Sequence, residues 1–136
     1  MNRPILYLGD TSLSTAACYL AGCMADAGLE FDYLPSHERL TLKDLESPHS
    51  LLIISDYPAA HISPDLQEII VQQVDAGMGL LMIGGWESFQ GSDGKWAETP
   101  LARILPVTIS PKDDRQNCDQ PVFVRPQDSS KAASHP

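Results

Sequence analysis

Short apolar runs alternate along the chain with segments in which apolar residues recur at helical spacing. Residues 5–8, 51–54 and 80–83 are continuous apolar runs, a pattern typical of strands buried on both faces of a parallel sheet. Residues 29–34 alternate apolar and acidic positions, which predicts a strand with one wetter face, near a sheet edge. Because helical patterns separate these strands, we predict an α/β fold with a mostly parallel sheet and helices on both faces.

Two longer helices are predicted between the strands. The first has Ser12 or Ser14 as its N-cap and ends at Gly28, which supplies a left-handed residue. The second begins with the N-cap Ser63, followed by a proline, and its apolar stripe ends at Gly77. Weaker patterns predict a helical turn at residues 40–45, a short helix at 100–105, and short strands at 107–109 and 122–124.

The length of 136 residues fits one domain. We place that domain at residues 1–125 and expect residues 126–136, which are polar and rich in Ser and Ala, to form a flexible tail. The apolar and charged fractions are those of an ordinary globular protein.

The balance of charge narrows the range of partners. Nine Lys and Arg stand against 18 Asp and Glu, so the formal net charge is -9, which repels nucleic acids and anionic membranes. No apolar run reaches the 18 or so residues of a membrane span, and the first residues do not form a signal peptide. The cysteine count is odd, three in all, which favours reduced thiols. We therefore expect a cytoplasmic protein.

The strand ends supply the candidate site residues, because ligands of parallel sheets bind beyond the carboxyl ends of the strands. The candidates for ligand binding are Asp10, Thr11, Asp56, Tyr57, Gly84, Gly85, Trp86, Glu87 and Ser88. Asp10 and Asp56 would be a carboxylate pair suited to acid–base work. The simpler interpretation is that each caps the turn or helix that follows it.

The turn after the strand at 80–83 has two interpretations. Gly84 and Gly85 either present N–H groups to an anion or provide a tight turn, and neither common phosphate-binding glycine motif is present. Trp86 and Phe89 either form the apolar wall of a pocket or pack against Trp96.

Cysteine and histidine positions argue against two further kinds of site. None of Cys18, Cys23 and Cys118 directly follows a predicted central strand, so we assign no catalytic residue to them. The four histidines lack ligand spacing, so we predict no metal and no cofactor. His61 is closest to a strand end, and we interpret it as a solvated loop residue.

Residues 84–107, GGWESFQGSDGKWAETPLARILPV, resemble a signature of the class I glutamine amidotransferase-like proteins. The segments ILYLGD and LLIISDYPA are similar to that family as well, so the resemblance spans roughly residues 4–109. It implies a flavodoxin-like core. It also implies a catalytic Cys on the elbow after the strand LLMIG, where this chain has Gly85 and Trp86, and a His and Glu much later in the chain. The resemblance thus implies a fold and a pocket position without the catalytic residues.

Three hypotheses about function remain open. The first is a non-catalytic domain that binds a small polar ligand or a protein partner at the strand ends. The second is a hydrolase or amidotransferase that acts on an amide or sugar derivative with a non-Cys group such as Ser88 or the Asp10/Asp56 pair. The third is a structural subunit. Because the family's sheet extends beyond this sequence, we also expect a shortened chain that forms a homo-oligomer, most simply a dimer.

Overall fold

The computed structural model describes residues 4–123, which form a four-stranded, all-parallel sheet with helices on both faces. The strands are β1 (Ile5–Gly9), β2 (Phe31–Leu34), β3 (Leu51–Ser55) and β4 (Gly79–Ile83), in the order β2-β1-β3-β4. The helices are α1 (Cys18–Asp26), α2 (Leu42–Glu46) and α3 (Pro64–Asp75), with 3-10 helices at Ala59–His61 and Leu101–Ile104. This order is that of flavodoxin-like folds and confirms the predicted fold class.

The two faces of the sheet contribute to two apolar clusters. Leu8 and Ile54 lie on the face covered by α3 and the later loops, and both are fully buried. Tyr7 and Ile53 lie on the other face, against α1 and its buried Met24. The continuous apolar runs of β1 and β3 follow from this double coverage, since both faces of a central strand need apolar side chains.

The edges of the described sheet differ partly from the prediction. β2 lies at one edge, as its alternating pattern predicts. β4 was predicted to be buried, but it forms the other edge among residues 4–123, and Leu81 is 43% exposed. The apolar run of β4 alone does not distinguish an inner strand from an edge strand.

The first helix begins later than predicted, at Cys18 rather than after Ser12 or Ser14. The Ser12 hydroxyl lies 2.8 Å from that of Thr15, and the Ser12 carbonyl accepts hydrogen bonds from two following N–H groups. This local turn competes with the helix, as serine and threonine commonly do. Gly28 closes the helix as predicted, with φ +68.

The helix predicted to follow Ser63, which is α3 in the structure, is confirmed at both ends. Ser63 is its N-cap and accepts a hydrogen bond from Leu66 N at 3.4 Å, with Pro64 at the first helical position. The helix ends at Asp75, and Gly77 has φ +109. Ser63, Pro64 and Gly77 therefore lie at the helix boundaries as the sequence predicts.

Neither of the two weak strand predictions is confirmed within the described residues. Residues 107–109 do not pair with the sheet, and Ile109 instead fills the core as a single buried side chain. Val122 and Phe123 are exposed and not in a strand, and Val124 lies outside the described residues. The predicted tail at 126–136 also lies outside them. No helix within residues 4–123 has the length and apolarity needed to cross a bilayer.

Candidate functional site

The carboxyl ends of β1 and β3 lie side by side and are joined through the backbone. Gly9 pairs with Ser55, and Asp10 N donates a hydrogen bond to Ser55 O at 2.8 Å. Gly9 has φ +122, and a Cβ there would lie 1.5 Å from Ser55 O. Only glycine fits this contact, since no rotamer change can move a carbonyl oxygen away.

The carboxylates of Asp10 and Asp56 have separate partners, although both residues follow neighbouring strands and have φ near +47. The Tyr7 hydroxyl donates to Asp10 Oδ2, and Tyr33 donates to Asp10 O at 2.7 Å. Burial, together with the bond to Asp10, raises the pKa of the Tyr7 phenol far above its usual range. Asp10 is thus held by Tyr7 of β1 and Tyr33 of β2.

Asp56 instead holds the turn that follows β4. Its Oδ1 accepts a hydrogen bond from Glu87 N at 2.6 Å, and its own N–H donates to Ser88 Oγ at 2.8 Å. A Cβ on Gly85 would lie 2.6 Å from the same Oδ1. The simpler interpretation, that Asp56 caps the turn after it, is therefore wrong, because it caps the turn of the neighbouring strand.

The glycine-rich segment after β4 folds as a closely packed loop. Gly91 has φ +49, and a Cβ there would lie 2.4 Å from Trp86 O. Ser92 N donates to that oxygen at 2.8 Å, and Trp96 N donates to Phe89 O at 3.0 Å. These contacts give Gly91 a structural role. At Gly85 the close approach of the Asp56 carboxylate favours the tight-turn interpretation over anion binding.

Tyr57, predicted as a ligand-binding residue, lies instead in the core. It is fully buried, accepts a hydrogen bond from Leu40 N at 3.1 Å, and donates to Glu38 O at 2.7 Å. Burial raises the pKa of the Tyr57 phenol well above its usual range. Its carbonyl accepts the indole N–H of buried Trp96 at 3.0 Å. Tyr57 therefore joins three segments and is not available to a ligand.

A cavity of about 610 Å³ lies over the turn after β4. We call it the β4-turn cavity, and its lining residues are Gly84, Gly85, Trp86, Ser88, Phe89, Asp113, Asp114, Arg115, Gln116 and Asn117. Trp86 is 69% exposed and is not packed into the core, which favours the interpretation of Trp86 as a pocket wall. Phe89 is half-buried and also contacts the core.

Residues 113–117 form the other side of this cavity. Asp114 Oδ1 accepts a hydrogen bond from Gly91 N at 2.7 Å, which attaches the segment to the glycine-rich loop. The Arg115 guanidinium lies 4.9 Å from the centre of the Trp86 ring, a cation–π distance. Arg115 also donates to both oxygens of Asp113, at 2.9 and 2.7 Å, which lowers the pKa of that carboxyl to about 2.

The structure brings together only part of the predicted set. Gly84, Gly85, Trp86 and Ser88 line the β4-turn cavity, whereas Asp56 and Glu87 support its turn from behind. Asp10 and the exposed Thr11 do not line it. The contribution of residues 113–117 was missed. The sequence feature that indicates it is the polar segment Asp113-Asp114-Arg115. Its carboxylates can accept hydrogen bonds from the backbone N–H groups of a glycine-rich loop.

The cysteines, and the histidines within residues 4–123, lie away from the β4-turn cavity. Cys18, Cys23 and Cys118 are free and exposed, and none lines the β4-turn cavity. His61 is half-buried at the end of the 3-10 helix Ala59–His61, and its Nδ1 lies 2.8 Å from Ser36 O, so the interpretation of His61 as a solvated loop residue holds only in part. Across residues 4–123 no group of three or more His, Cys, Asp or Glu is arranged to hold a metal ion.

The fold and the cavity together define a flavodoxin-like α/β domain with a pocket at the carboxyl end of its sheet. A family model described as "Putative glutamine amidotransferase" matches residues 7–134. The chain therefore belongs to this class I glutamine amidotransferase-like family. A search of curated proteins finds no match.

Proposed function

We propose that this chain is a non-catalytic member of the family that binds a small polar ligand in the β4-turn cavity. The observation that carries the proposal is the composition of that cavity. An exposed Trp86 ring, the Arg115 guanidinium and the Asp113 carboxylate face the same space of about 610 Å³. Pockets for small molecules commonly combine an aromatic wall with a few polar groups of this kind.

The turn beside this cavity supports binding rather than covalent catalysis. A nucleophile elbow holds its reactive residue in a strained turn, whereas Gly84, Gly85 and Trp86 are not among the residues with positive φ. Ser88 is only 1% exposed, and its hydroxyl already accepts the hydrogen bond from Asp56 N. The hydrolase alternative would need Ser88 both exposed and paired with a base.

The mixed charge of the cavity favours a ligand with both donors and acceptors. Arg115 can donate to a carboxylate or carbonyl oxygen, and the side-chain amides of Gln116 and Asn117 offer both kinds of group. An amino acid or amide has this composition. The family description names glutamine, so L-glutamine is the first compound to test.

The test is a titration followed by tryptophan fluorescence and calorimetry. Trp96 is fully buried and Trp86 is exposed, so a ligand in the β4-turn cavity should change the emission of Trp86. We expect saturable binding of L-glutamine or a related amide without release of ammonia. The Trp86→Ala variant should weaken binding at least tenfold, about 1.4 kcal/mol.

Tyr19→Ala is the matched control, because Tyr19 is an 81% exposed aromatic residue on α1, outside the cavity. This variant should bind as the unmodified protein does. Ammonia release that is lost in Ser88→Ala would instead establish the hydrolase alternative. An equal loss of binding in Trp86→Ala and Tyr19→Ala would show that the ligand does not occupy this cavity.

A further inference from the structure

The guanidinium of Arg115 is occupied on one side by the carboxylate of Asp113. Arg115 Nε donates to Asp113 Oδ1 at 2.9 Å, and Arg115 Nη2 donates to Asp113 Oδ2 at 2.7 Å. Two parallel hydrogen bonds of this kind form the fork in which arginine commonly binds a carboxylate. Both side chains line the β4-turn cavity, so Asp113 takes the place that the carboxylate of a ligand in that cavity would take.

Asp113 can leave this fork without disturbing the rest of the structure. Its side chain is 51% exposed, and within residues 4–123 its carboxylate accepts hydrogen bonds from Arg115 only. An ion pair as exposed as this one contributes little to the free energy of unfolding, because water solvates and screens both charges. The rotation of one exposed side chain is therefore enough to free the fork.

Arg115, by contrast, is held in position by contacts that do not involve Asp113. Its guanidinium lies 4.9 Å from the centre of the Trp86 ring, and the preceding residue, Asp114, accepts a hydrogen bond from Gly91 N at 2.7 Å. The first contact orients the guanidinium, and the second attaches the backbone beside it to the glycine-rich loop. When Asp113 turns away, a pair of donors therefore remains in place at the cavity.

The charges around the cavity define the group that can fill the fork. Among the lining residues that the structure describes, Arg115 is the only Lys or Arg, and the whole chain has a net charge of -9. A carboxylate ligand therefore has one place where its charge is matched, and Asp113 occupies that place. A second negative charge on the ligand would lie near Asp113 and Asp114 without a partner, so a single carboxylate fits best.

We propose that the β4-turn cavity binds a ligand with a single carboxylate, which displaces Asp113 from the Arg115 fork. Asp113 is then a built-in competitor. The ligand exchanges one carboxylate for another on the same two donors, and the contact that it has to break lowers its affinity. This specificity rests on the function proposed above, since it concerns the same cavity, and it adds the charged group of the ligand and the residue that sets the affinity.

Propionate and its neutral counterpart propionamide are the probes, and the variant is Asp113→Asn, which removes the charge but keeps the size of the side chain. We expect this variant to bind propionate roughly threefold to fivefold more tightly than the unmodified chain does, and to bind propionamide equally well. The fluorescence of the exposed Trp86 follows both titrations. In the unmodified chain, saturating propionate should also shift the NMR signal of the Asp113 carboxyl carbon, because that carboxylate is released.

Asp119→Asn is the matched control, because it removes the same charge at an exposed position that does not line the cavity. It should change the affinity for propionate by less than about 1.5-fold at about 0.15 M salt, where distant exposed charges are largely screened. Adding Arg115→Gln to Asp113→Asn should cancel the gain, because the fork itself is then absent.

Four results would each overturn the proposal: equal gains in Asp113→Asn and Asp119→Asn, an equal gain for propionamide, no saturable binding of propionate to Asp113→Asn, or an unshifted Asp113 signal in the unmodified chain. The proposed function fails in a different way. L-glutamine binding that Asp113→Asn does not tighten refutes only the displacement of Asp113. Tighter propionate binding in Asp113→Asn, in a chain that does not bind L-glutamine, refutes only the choice of L-glutamine.

Discussion

Asp56 holds the turn after β4, and its replacement should separate two contributions to stability. Asp56→Ala removes the acceptor of Glu87 N, a charge-assisted hydrogen bond worth about 1.5–3 kcal/mol. It also places alanine at φ +48, which costs roughly 1 kcal/mol relative to Asp or Asn. The expected loss in the free energy of unfolding is therefore about 2.5–4 kcal/mol.

Asp56→Asn is the informative comparison, because asparagine tolerates the left-handed backbone and keeps a neutral acceptor oxygen. It should lose only about 1 kcal/mol, the difference between a charged and a neutral hydrogen bond. Urea unfolding followed by circular dichroism measures both values, and Asp119→Ala, at an exposed loop position, serves as the control within about 0.5 kcal/mol.

The outcome that would refute this reasoning is specific. If Asp56→Asn is as destabilising as Asp56→Ala, the carboxylate charge itself is required and backbone conformation contributes little. If Asp56→Ala matches the Asp119→Ala control, the hydrogen bond to Glu87 N does not hold the turn. The first outcome would refute the division of the loss between hydrogen bond and backbone, and the second would show that Asp56 does not support the β4-turn cavity.

Three further predictions follow from other parts of the fold. Gly9→Ala should lower the free energy of unfolding by more than about 4 kcal/mol and leave little folded protein. In the control Gly22→Ala, on α1, the added Cβ has no atom within 4 Å, so this variant should be as stable as the unmodified protein or more so. Thermal unfolding of both variants measures the difference. The pKa of Asp113 is lowered to about 2, so the ion pair between Asp113 and Arg115 should be fully formed above about pH 4 and lost as the pH falls through about 2. In an Arg115→Gln variant, the pKa of Asp113 measured by NMR should rise to near 4. We also propose a homodimer through the edge that β4 forms among residues 4–123. Light scattering should then give twice 14.8 kDa, and Leu81→Lys should give a single chain; a monomer before substitution would contradict the proposal.

The sequence predicts the sheet well for a physical reason. A central parallel strand must be apolar on both faces, so β1 and β3 are visible as continuous runs without any knowledge of their partners. The N-cap of α3 is equally local, because Ser63 and Pro64 act on the first turn of their own helix. Where neighbouring residues decide the structure, the pattern is sufficient.

The predictions that fail depend on contacts between distant segments. Tyr57 follows a strand end, as a ligand-binding residue would, but its hydroxyl is held by the backbone of residues 38–40. Asp114 lies 23 residues after Gly91, and no periodicity relates the two. The start of α1 fails for a different reason, since the Ser12 turn and the helix compete for the same residues.

These contacts separate the residues that build the β4-turn cavity from those that can choose its ligand. Asp56 and Ser88 are committed to the turn, since each already has a backbone N–H as its partner. Arg115 and Trp86, by contrast, are exposed or partly exposed and touch each other across the cavity. A change at Asp56 should therefore alter stability and binding together. A change at Arg115 should alter ligand preference while the free energy of unfolding stays within about 0.5 kcal/mol, as for most surface positions.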